Sequence, residues 1–288
     1  MREGRRRQLL AERAHASLSR YFSPNLAERL AGDPSGLELG GVRREVASLF
    51  TDIASFTSLV ENLDPGQLAD ILNAYLSAMT DIVFAHDGTV AKIVGDAIHV
   101  LFGAPGDQPD HAARAVNCAL ALDAAAEAFR LHWRGRGIAI GVTRIGVHAG
   151  PAIVGNFGGS RFFDYTAYGD TINTAARLES ANKCFGTRIC VSQSVVARAG
   201  AFRGRAVGDL VLRGKQEALR AFEPLIKAAY DEASLKRYQN AFAKLEAGDA
   251  TAMPAFAGLV GLRPDDTLAS FHLKRLLTGG TGTQIEVS

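Results

Sequence analysis

The stretch Leu49–Thr57 constrains the fold of this chain more than any other part of the sequence. An apolar run from Val46 to Phe50 indicates a buried strand, and a helix-like pattern follows it. Asp52 falls where the strand ends, beside small and hydroxyl residues. Backbone N–H groups at a helix start bind phosphate oxygens, and a carboxylate there can hold a bridging cation. The stretch therefore suits a metal and phosphate site, although a single strand-end aspartate is usually just a helix cap.

Composition favours one large domain with extensions, or two domains, in a chain of 288 residues. A net charge of +2 indicates no wide surface for nucleic acid. Cys118, Cys184 and Cys190 form no CxxC pair and fit reduced thiols. No run approaches the length of a membrane span, and the basic start precedes no signal-peptide core. We expect a cytoplasmic chain, or the cytoplasmic portion of a membrane-attached protein.

Hydrophobic periodicity divides the chain into three parts. Residues 1–42 are interpreted as a helical connector and linker, whose expected partner is an upstream sensor or membrane module. Residues 43–225 form the main domain. Residues 226–288 are predicted to be a helical extension that packs on the main domain and ends in a disordered Gly-Gly-Thr-Gly-Thr tail.

The main domain has the element order of a ferredoxin-like fold, strand–helix–strand–strand–helix–strand, with extra strands at its C-terminal end. The fold class is therefore α+β, with helices expected on one face of the sheet. Gly95-Asp96 predicts a tight hairpin, and residues 155–159 predict a flexible loop. The predicted strands are 46–52, 89–94, 97–102, 142–149, 151–157, 188–192, 206–212 and 218–224, and the predicted helices are 65–86, 109–133 and 170–184.

A second acid, Asp96, is expected beside Asp52 because its hairpin should lie next to the first strand. Two acids at one sheet edge repel each other unless a cation joins them. Their arrangement fits a two-metal site, in which ions about 4 Å apart hold an attacking oxygen and a leaving phosphate. The structural alternative is that Asp96 is only a turn residue, since Gly-Asp turns are common.

Another candidate cluster follows Tyr168, where Asp170 or Thr171 can cap a helix. Asn173 and Arg177 then lie on one face of the first two turns. An amide and a guanidinium together suit a pentavalent phosphate, which gathers negative charge as it forms. The alternative is that the arginine pairs with Glu179 or another surface acid.

These motifs together resemble the class III nucleotide cyclase catalytic domain. They are Leu-Phe-Thr-Asp-Ile-Ala-Ser-Phe-Thr, Lys-Ile-Val-Gly-Asp, Gly-Val-His-Ala-Gly-Pro and Tyr-Gly-Asp-Thr-Ile-Asn-Thr-Ala-Ala-Arg-Leu, in the family's order and spacing. The resemblance implies that Asp52 and Asp96 bind two Mg²⁺ or Mn²⁺ ions, with the Ile53 carbonyl as a further ligand.

The resemblance also implies contacts with the substrate. Asn173 and Arg177 would act at the transition state, with the asparagine orienting the nucleotide. Lys215, in Leu-Arg-Gly-Lys, falls where the family places a lysine on the triphosphate. Phe56 and Thr57 close the first motif and are assigned to substrate binding.

Two positions would read the base. The family pairs a lysine before the Gly-Asp hairpin with adenine and a glutamate with guanine, and this chain has Lys92. An ammonium group donates to an adenine ring nitrogen but cannot accept from the N–H edge of guanine. The second position is Thr166, a variant similar to that of many bacterial and bicarbonate-responsive members. Its hydroxyl can accept from the adenine amino group, so the resemblance implies ATP as substrate.

The family forms its site between two domains, so the resemblance implies a head-to-tail homodimer. One chain would supply the acids and its twin the base-reading and transition-state residues, with the loop 155–164 reaching across. The expected activity is adenylate cyclase. The alternatives are a guanylate cyclase, which Lys92 disfavours, a polymerase-like nucleotidyl transferase, for which the charge offers no surface, and a catalytically weak nucleotide-binding regulatory module.

Overall fold

A central sheet flanked by helices forms the body of the chain. The structure, a computed structural model, describes residues 23–32, 38–159, 162–215, 217–226 and 228–287. The helices are α1 (Pro24–Gly32), α2 (Phe56–Asn62), α3 (Pro65–Ala85), α4 (His111–Arg134), α5 (Asp170–Phe185), α6 (Gln193–Arg198), α7 (Glu232–Glu246), α8 (Ala252–Leu262) and α9 (Thr267–Leu277). The strands are β1 (Gly40–Ile53), β2 (Thr89–Val94), β3 (Ala97–Phe102), β4 (Thr143–Gly159), β5 (Phe162–Tyr168), β6 (Ile189–Ser192), β7 (Gly204–Leu212), β8 (Leu219–Pro224) and β9 (Gln284–Val287).

The strand order within the described residues is β2-β3-β1-β4-β6-β8-β7-β9, and β5 pairs with β4. The first four strands of this order, joined through α3 and α4, make the predicted ferredoxin-like core, so the α+β fold class is confirmed. Strand β1 runs antiparallel to β4 along its whole length, from the pair Gly40–Asn156 to the pair Ile53–Thr143. This pairing fixes the relative positions of the residues on the two strands, among them Asp52 and Arg144.

Helix α3 packs on one face of the sheet together with α4. Its Ile71, Tyr75, Met79 and Val83 are buried in the same apolar core as the inward-facing residues of β1, β3 and β4. By length and composition α3 is also apolar enough to cross a membrane, the single such helix in the described part of the chain. The expectation that no run approaches span length is therefore wrong for α3, whose buried face is that of a core helix.

Helix α5 lies on the opposite face, so the expectation of helices on one face is wrong. Gly146 of β4 makes the close approach possible, because a Cβ built there would lie 2.1 Å from the Glu179 backbone nitrogen and 2.3 Å from the Ala175 carbonyl oxygen. Ile145 and Val147, the neighbours of Gly146 in β4, point to the opposite face, where they are fully buried in the apolar core beneath α3 and α4. Alternation along one strand thus serves a helix layer on each side.

The C-terminal helices α7, α8 and α9 build a second apolar core against α5 and β7. That core joins Leu178 and Val207 to Phe256 and Leu268. It contains residues from both sides of the proposed boundary near residue 225, so that boundary stays a prediction.

A buried ion pair also ties the extension to the sheet. Arg205 of β7, only 5% exposed, donates to both carboxylate oxygens of Asp266 at 2.6 and 2.9 Å and to Glu223 at 2.7 Å. Removing one partner of such a group would leave a buried charge uncompensated.

Several local predictions differ from the structure. Residues 155–159, predicted as a loop, continue strand β4 and pair with β5, which was not predicted. Helix α6 was missed, whereas α2 lies where a helix-like pattern follows the first strand. The Gly-Gly-Thr-Gly-Thr stretch, predicted to be disordered, is a turn that leads into β9. Of the predicted N-terminal helix, the described part is α1, and the rest lies outside the described residues.

We expect Gly146→Ala to destabilise the protein by about 2 kcal/mol or more, because the added methyl group meets backbone rather than a movable side chain. The free energy of unfolding in urea measures this loss. Gly106→Ala is the matched control, since its Cβ would have nothing within 4 Å. Equal stabilities of the two variants would contradict the proposed close packing of α5 on β4.

Candidate active site

The two predicted metal-binding acids meet at one edge of the sheet. Asp52 lies at the end of β1, and Asp96 lies in the turn between β2 and β3. The backbone N–H of Ile53 donates to the Asp96 Oδ2 at 2.7 Å, which fixes the turn against the end of β1. Asp96 is 8% exposed, whereas Asp52 is half-buried. The structure therefore brings together the acids that the sequence places on separate motifs.

A guanidinium that the sequence reasoning missed, that of Arg144, binds one of these acids, Asp52. Arg144 is the register partner of Asp52 across the β1–β4 ladder, and its Nη2 donates to the Asp52 carboxylate. Its Nε donates to Glu179 of α5 at 2.9 Å. Arg144 begins the strand that carries the Gly-Val-His-Ala-Gly-Pro motif, but its partner becomes visible only once the two strands are paired.

The local electrostatics disfavour two free charges. Burial raises the pKa of Asp96, the N–H of Ile53 opposes that rise, and the charge of Asp52 adds to it. Burial likewise raises the pKa of Glu179, while Arg144 opposes the rise. One guanidinium thus faces an excess of negative charge, which a cation would relieve.

The donor set fits a divalent cation that binds together with a nucleotide. The described residues hold no group of three or more His, Cys, Asp or Glu side chains around one point. Mg²⁺ is commonly bound through one or two carboxylates, with waters and substrate phosphates completing its shell. The adjacent Asp52 and Asp96, together with the Ile53 carbonyl, match that pattern.

A short helix starts directly beyond the acids. Ser55 precedes α2 with a φ of 59°, a left-handed conformation that is uncommon outside glycine. Phe56 and Thr57 therefore lie in the first turn, whose N–H groups point away from the helix body. Their proposed contact with phosphates stays a prediction.

The strands of the two base-reading residues, β2 and β5, approach each other. Lys92 is exposed on β2, and its Nζ lies 3.6 Å from the Asp164 Oδ2 on β5. Thr166 follows two residues later and so shares a face of β5 with Asp164. Sequence reasoning missed Asp164, because only the pairing of β5 with β4 brings it close to the lysine.

The transition-state candidates lie on α5. Asn173 is exposed and Arg177 is half-buried, in line with their placement on the first two turns. Glu179 binds Arg144 rather than Arg177, so the alternative pairing within the helix is wrong. Lys215 binds Asp170, at the first position of α5, at 2.5 Å, and its ammonium lowers the pKa of that carboxyl.

The site residues thus form two clusters in one chain. Asp52 and Asp96 make up the acid cluster, and Asn173 and Arg177 make up the helix cluster on α5. Lys92 and Thr166 lie on β2 and β5. No hydrogen bond or ion pair among the described residues joins either acid directly to the asparagine or arginine of α5. The described link between the clusters is the Asp52–Arg144–Glu179 chain.

Comparison with known proteins identifies the class. Residues 42–222 match the family described as the adenylate and guanylate cyclase catalytic domain. The match covers more than half of the chain, so the protein belongs to this family. Adenylate cyclase 1 of Rhizobium meliloti is 38% identical over 182 residues, which are 63% of this chain and 27% of that relative. The chain therefore spans roughly a quarter of that relative's length.

Solved structures of both kinds of cyclase resemble the chain. The adenylyl cyclase CyaB from P. aeruginosa matches with a TM-score of 0.60 and 31% identity, over 65% of this chain and 97% of that one. The guanylyl cyclase Cya2 matches with a TM-score of 0.58 and 31% identity, over 65% and 94%. Because the two similarities are nearly equal, overall fold does not separate the two substrates.

We expect Mn²⁺ without nucleotide to raise the melting temperature of the full chain, because a ligand that binds only the folded state stabilises it. Asp96→Asn should abolish that gain. In metal-free buffer the same variant should be at least as stable as the parent, since it removes a carboxylate whose charged form the fold disfavours. Asp107→Asn, at an exposed acid, should keep the gain. An undiminished gain in Asp96→Asn would contradict the assignment.

Proposed function

We propose that the chain is an adenylate cyclase that converts ATP to 3′,5′-cyclic AMP and pyrophosphate at sites shared by two chains. The carrying observation is the contact between the end of β1 and the β2–β3 turn, which sets Asp52 beside Asp96. Family membership supports the reaction class. The relative named adenylate cyclase 1 and the lysine at position 92 favour ATP over GTP.

Two Mg²⁺ or Mn²⁺ ions held by Asp52, Asp96 and the Ile53 carbonyl would, when bound, lower the pKa of the ribose 3′ hydroxyl and neutralise the leaving pyrophosphate. The chain itself preorganises this region. The Ile53 N–H fixes Asp96 in place. When cations neutralise Asp52, its ion pair with Arg144 weakens. Arg144 can then turn a guanidinium N–H toward the triphosphate while Glu179 holds its Nε.

The helix cluster would act on the reacting phosphate. Arg177 donates to the oxygens that gain charge in the transition state, and Asn173 orients the nucleotide. Losing one such donor typically lowers kcat by a hundredfold or more. Lys215, held near the start of α5 by Asp170, supplies a further positive charge for the triphosphate.

The base would be read by Lys92 and Thr166. The ammonium donates to an adenine ring nitrogen, and the threonine hydroxyl accepts from the amino group. Asp164, whose Oδ2 lies 3.6 Å from the lysine Nζ, limits the rotamers of the lysine. A guanylate cyclase is the second candidate, and the similarity to Cya2 favours it, but a lysine lacks the acceptor that the guanine edge requires.

The absence of a direct hydrogen bond or ion pair between the two clusters, among the described residues of one chain, supports a head-to-tail homodimer. Ile153 and Tyr168, register partners on β4 and β5, are 49% and 57% exposed, and Val94 on β2 is 62% exposed. The proposed dimer would cover these exposed apolar side chains. A two-fold axis would create two equivalent sites, each with acids from one chain and Arg177 from its twin. A cytoplasmic location and an upstream sensor remain part of the proposal.

The substrate assignment is tested with purified chain, Mn²⁺ and either ATP or GTP, with the cyclic product measured. We expect ATP to be preferred. Lys92→Glu should lower the ratio of kcat/KM for ATP to kcat/KM for GTP by about tenfold or more, because a carboxylate cannot donate to adenine. Lys236→Glu, an equal charge reversal at an exposed position on α7, should leave the preference unchanged. Turnover of GTP in preference to ATP would overturn the assignment, and no cyclic product from either would overturn the proposed activity.

The shared site is tested by mixing two inactive variants with different affinity tags. Asp52→Ala and Arg177→Ala homodimers should each lose activity, whereas their heterodimer keeps one complete site. About half of the parent activity per heterodimer is therefore expected. Proven heterodimers without activity would rule out the two-chain site.

A further inference from the structure

Strand β9 lies far along the chain, and its last described residue lines a cavity that Arg177 also lines. The family match ends at residue 222, and β9 begins at Gln284. The strand runs parallel to β7, from the pair Asp209–Gln284 to the pair Leu212–Val287. It forms one edge of the described sheet. The C-terminal extension thus adds a strand to the cyclase sheet next to the residues that precede Lys215.

The sheet is shaped to receive this strand. Ile285 is 6% exposed and packs in the second apolar core. Gly208, at a break in the β7–β8 register, has a φ of +153°, and a Cβ there would lie 2.5 Å from the Ile285 Cδ1. The N–H of Asp209 donates to the carbonyl of Thr283 at 2.8 Å. A bulge with a glycine is a usual device for letting another chain segment approach closely.

The turn before β9 is clamped to the preceding helix. Arg275 of α9 donates through one guanidinium nitrogen to the carbonyl oxygens of Thr281, Gly282 and Gln284, at 2.5, 2.6 and 3.2 Å. The hydroxyl of Thr283 donates to the carboxylate of Asp209. The glycine-rich turn is therefore held at both ends, and β9 has a fixed register on β7.

The far end of β9 lies across a cavity from Arg177. Leu212, the register partner of Val287, is followed by a turn that the Lys215 N–H closes onto the Leu212 carbonyl at 2.9 Å. A Cβ on Gly214 of that turn would lie 3.5 Å from the Arg177 Nη2. Arg177, Gly214 and Val287 line one cavity of about 480 Å³. The guanidinium thus rests on a turn that β9 supports.

We infer that β9 is a positioning element for the half of the site that donates Arg177, with Ile285 as its anchor. The inference rests on the proposed function. Without β9, strand β7 becomes an edge and the turn at 213–215 loses its neighbour on that side. The guanidinium then samples more orientations, and a donor that is displaced by about 1 Å stabilises the transition state much less. ATP binding through the other contacts continues.

The first test is Ile285→Asp in the full chain, which places a charge in the second core and releases β9. We expect kcat to fall by about tenfold or more, because Arg177 acts in the transition state. KM for ATP should rise by a smaller factor, because Lys215 is the one proposed substrate contact on the disturbed turn. Ile285→Val, which keeps an apolar side chain at this position, should retain most of the parent kcat. Glu286→Gln, on the exposed face of the same strand, should keep parent kcat. Parent kcat in Ile285→Asp, with β9 released in hydrogen exchange, would overturn the inference.

Heterodimers distinguish the proposed role of β9 in positioning Arg177 from a general loss of folding in the variant chain. With an Asp52→Ala partner, the Ile285→Asp chain contributes only its acids to the one live site, so about half of the parent activity should return. With an Arg177→Ala partner, it contributes its impaired helix cluster, and activity should stay low. Equal activity of the two heterodimers, high or low, would overturn the inference. The Asp52→Ala and Arg177→Ala heterodimer, in which β9 is intact, reports separately on the proposed function.

Discussion

The antiparallel pairing of β1 with β4 determines the position of each part of the site. One end of the ladder sets Asp52 opposite Arg144. The other end extends β4 beyond the sheet core, where it pairs with β5 and so carries Asp164 toward Lys92. Between these ends, Gly146 admits α5. A slip of the ladder by one residue would turn every side chain of β1 to the other face and would separate all of these groups at once.

The charges at the end of this ladder are arranged at a cost to the fold. Asp96 and Glu179 both have raised pKa values because burial disfavours their charged forms. Arg144 is the guanidinium that bridges Asp52 and Glu179. A fold that only needed stability would replace such a group with apolar side chains. These partly buried charges lie close to Ser55, whose positive φ is a strained conformation. Buried charge and backbone strain together are typical of a ligand site.

Local chemistry decided which parts could be predicted from the sequence. The β2–β3 hairpin was predicted to the residue because Gly95-Asp96 carries its own turn signal. Residues 155–159 were misread because their glycines resemble a loop, while the pairing with β5 that makes them a strand is not local. The β9 strand was missed for the same reason, since its partner β7 lies far away along the chain. Arg144 and Asp164 belong to this group, because each is defined by a partner on another strand.

The proposed two-chain arrangement would give the Asp52–Arg144–Glu179 chain a second role. In that arrangement the acids of one chain serve one site, and the α5 helix of the same chain serves the other. Arg144 then bridges two sites rather than two halves of one. A nucleotide and its cations at the first site would compete with Arg144 for Asp52, while the Arg144 Nε would stay on Glu179, on the helix that carries Arg177. Occupancy of one site would therefore change the charge balance near the other, through side chains that are already in contact.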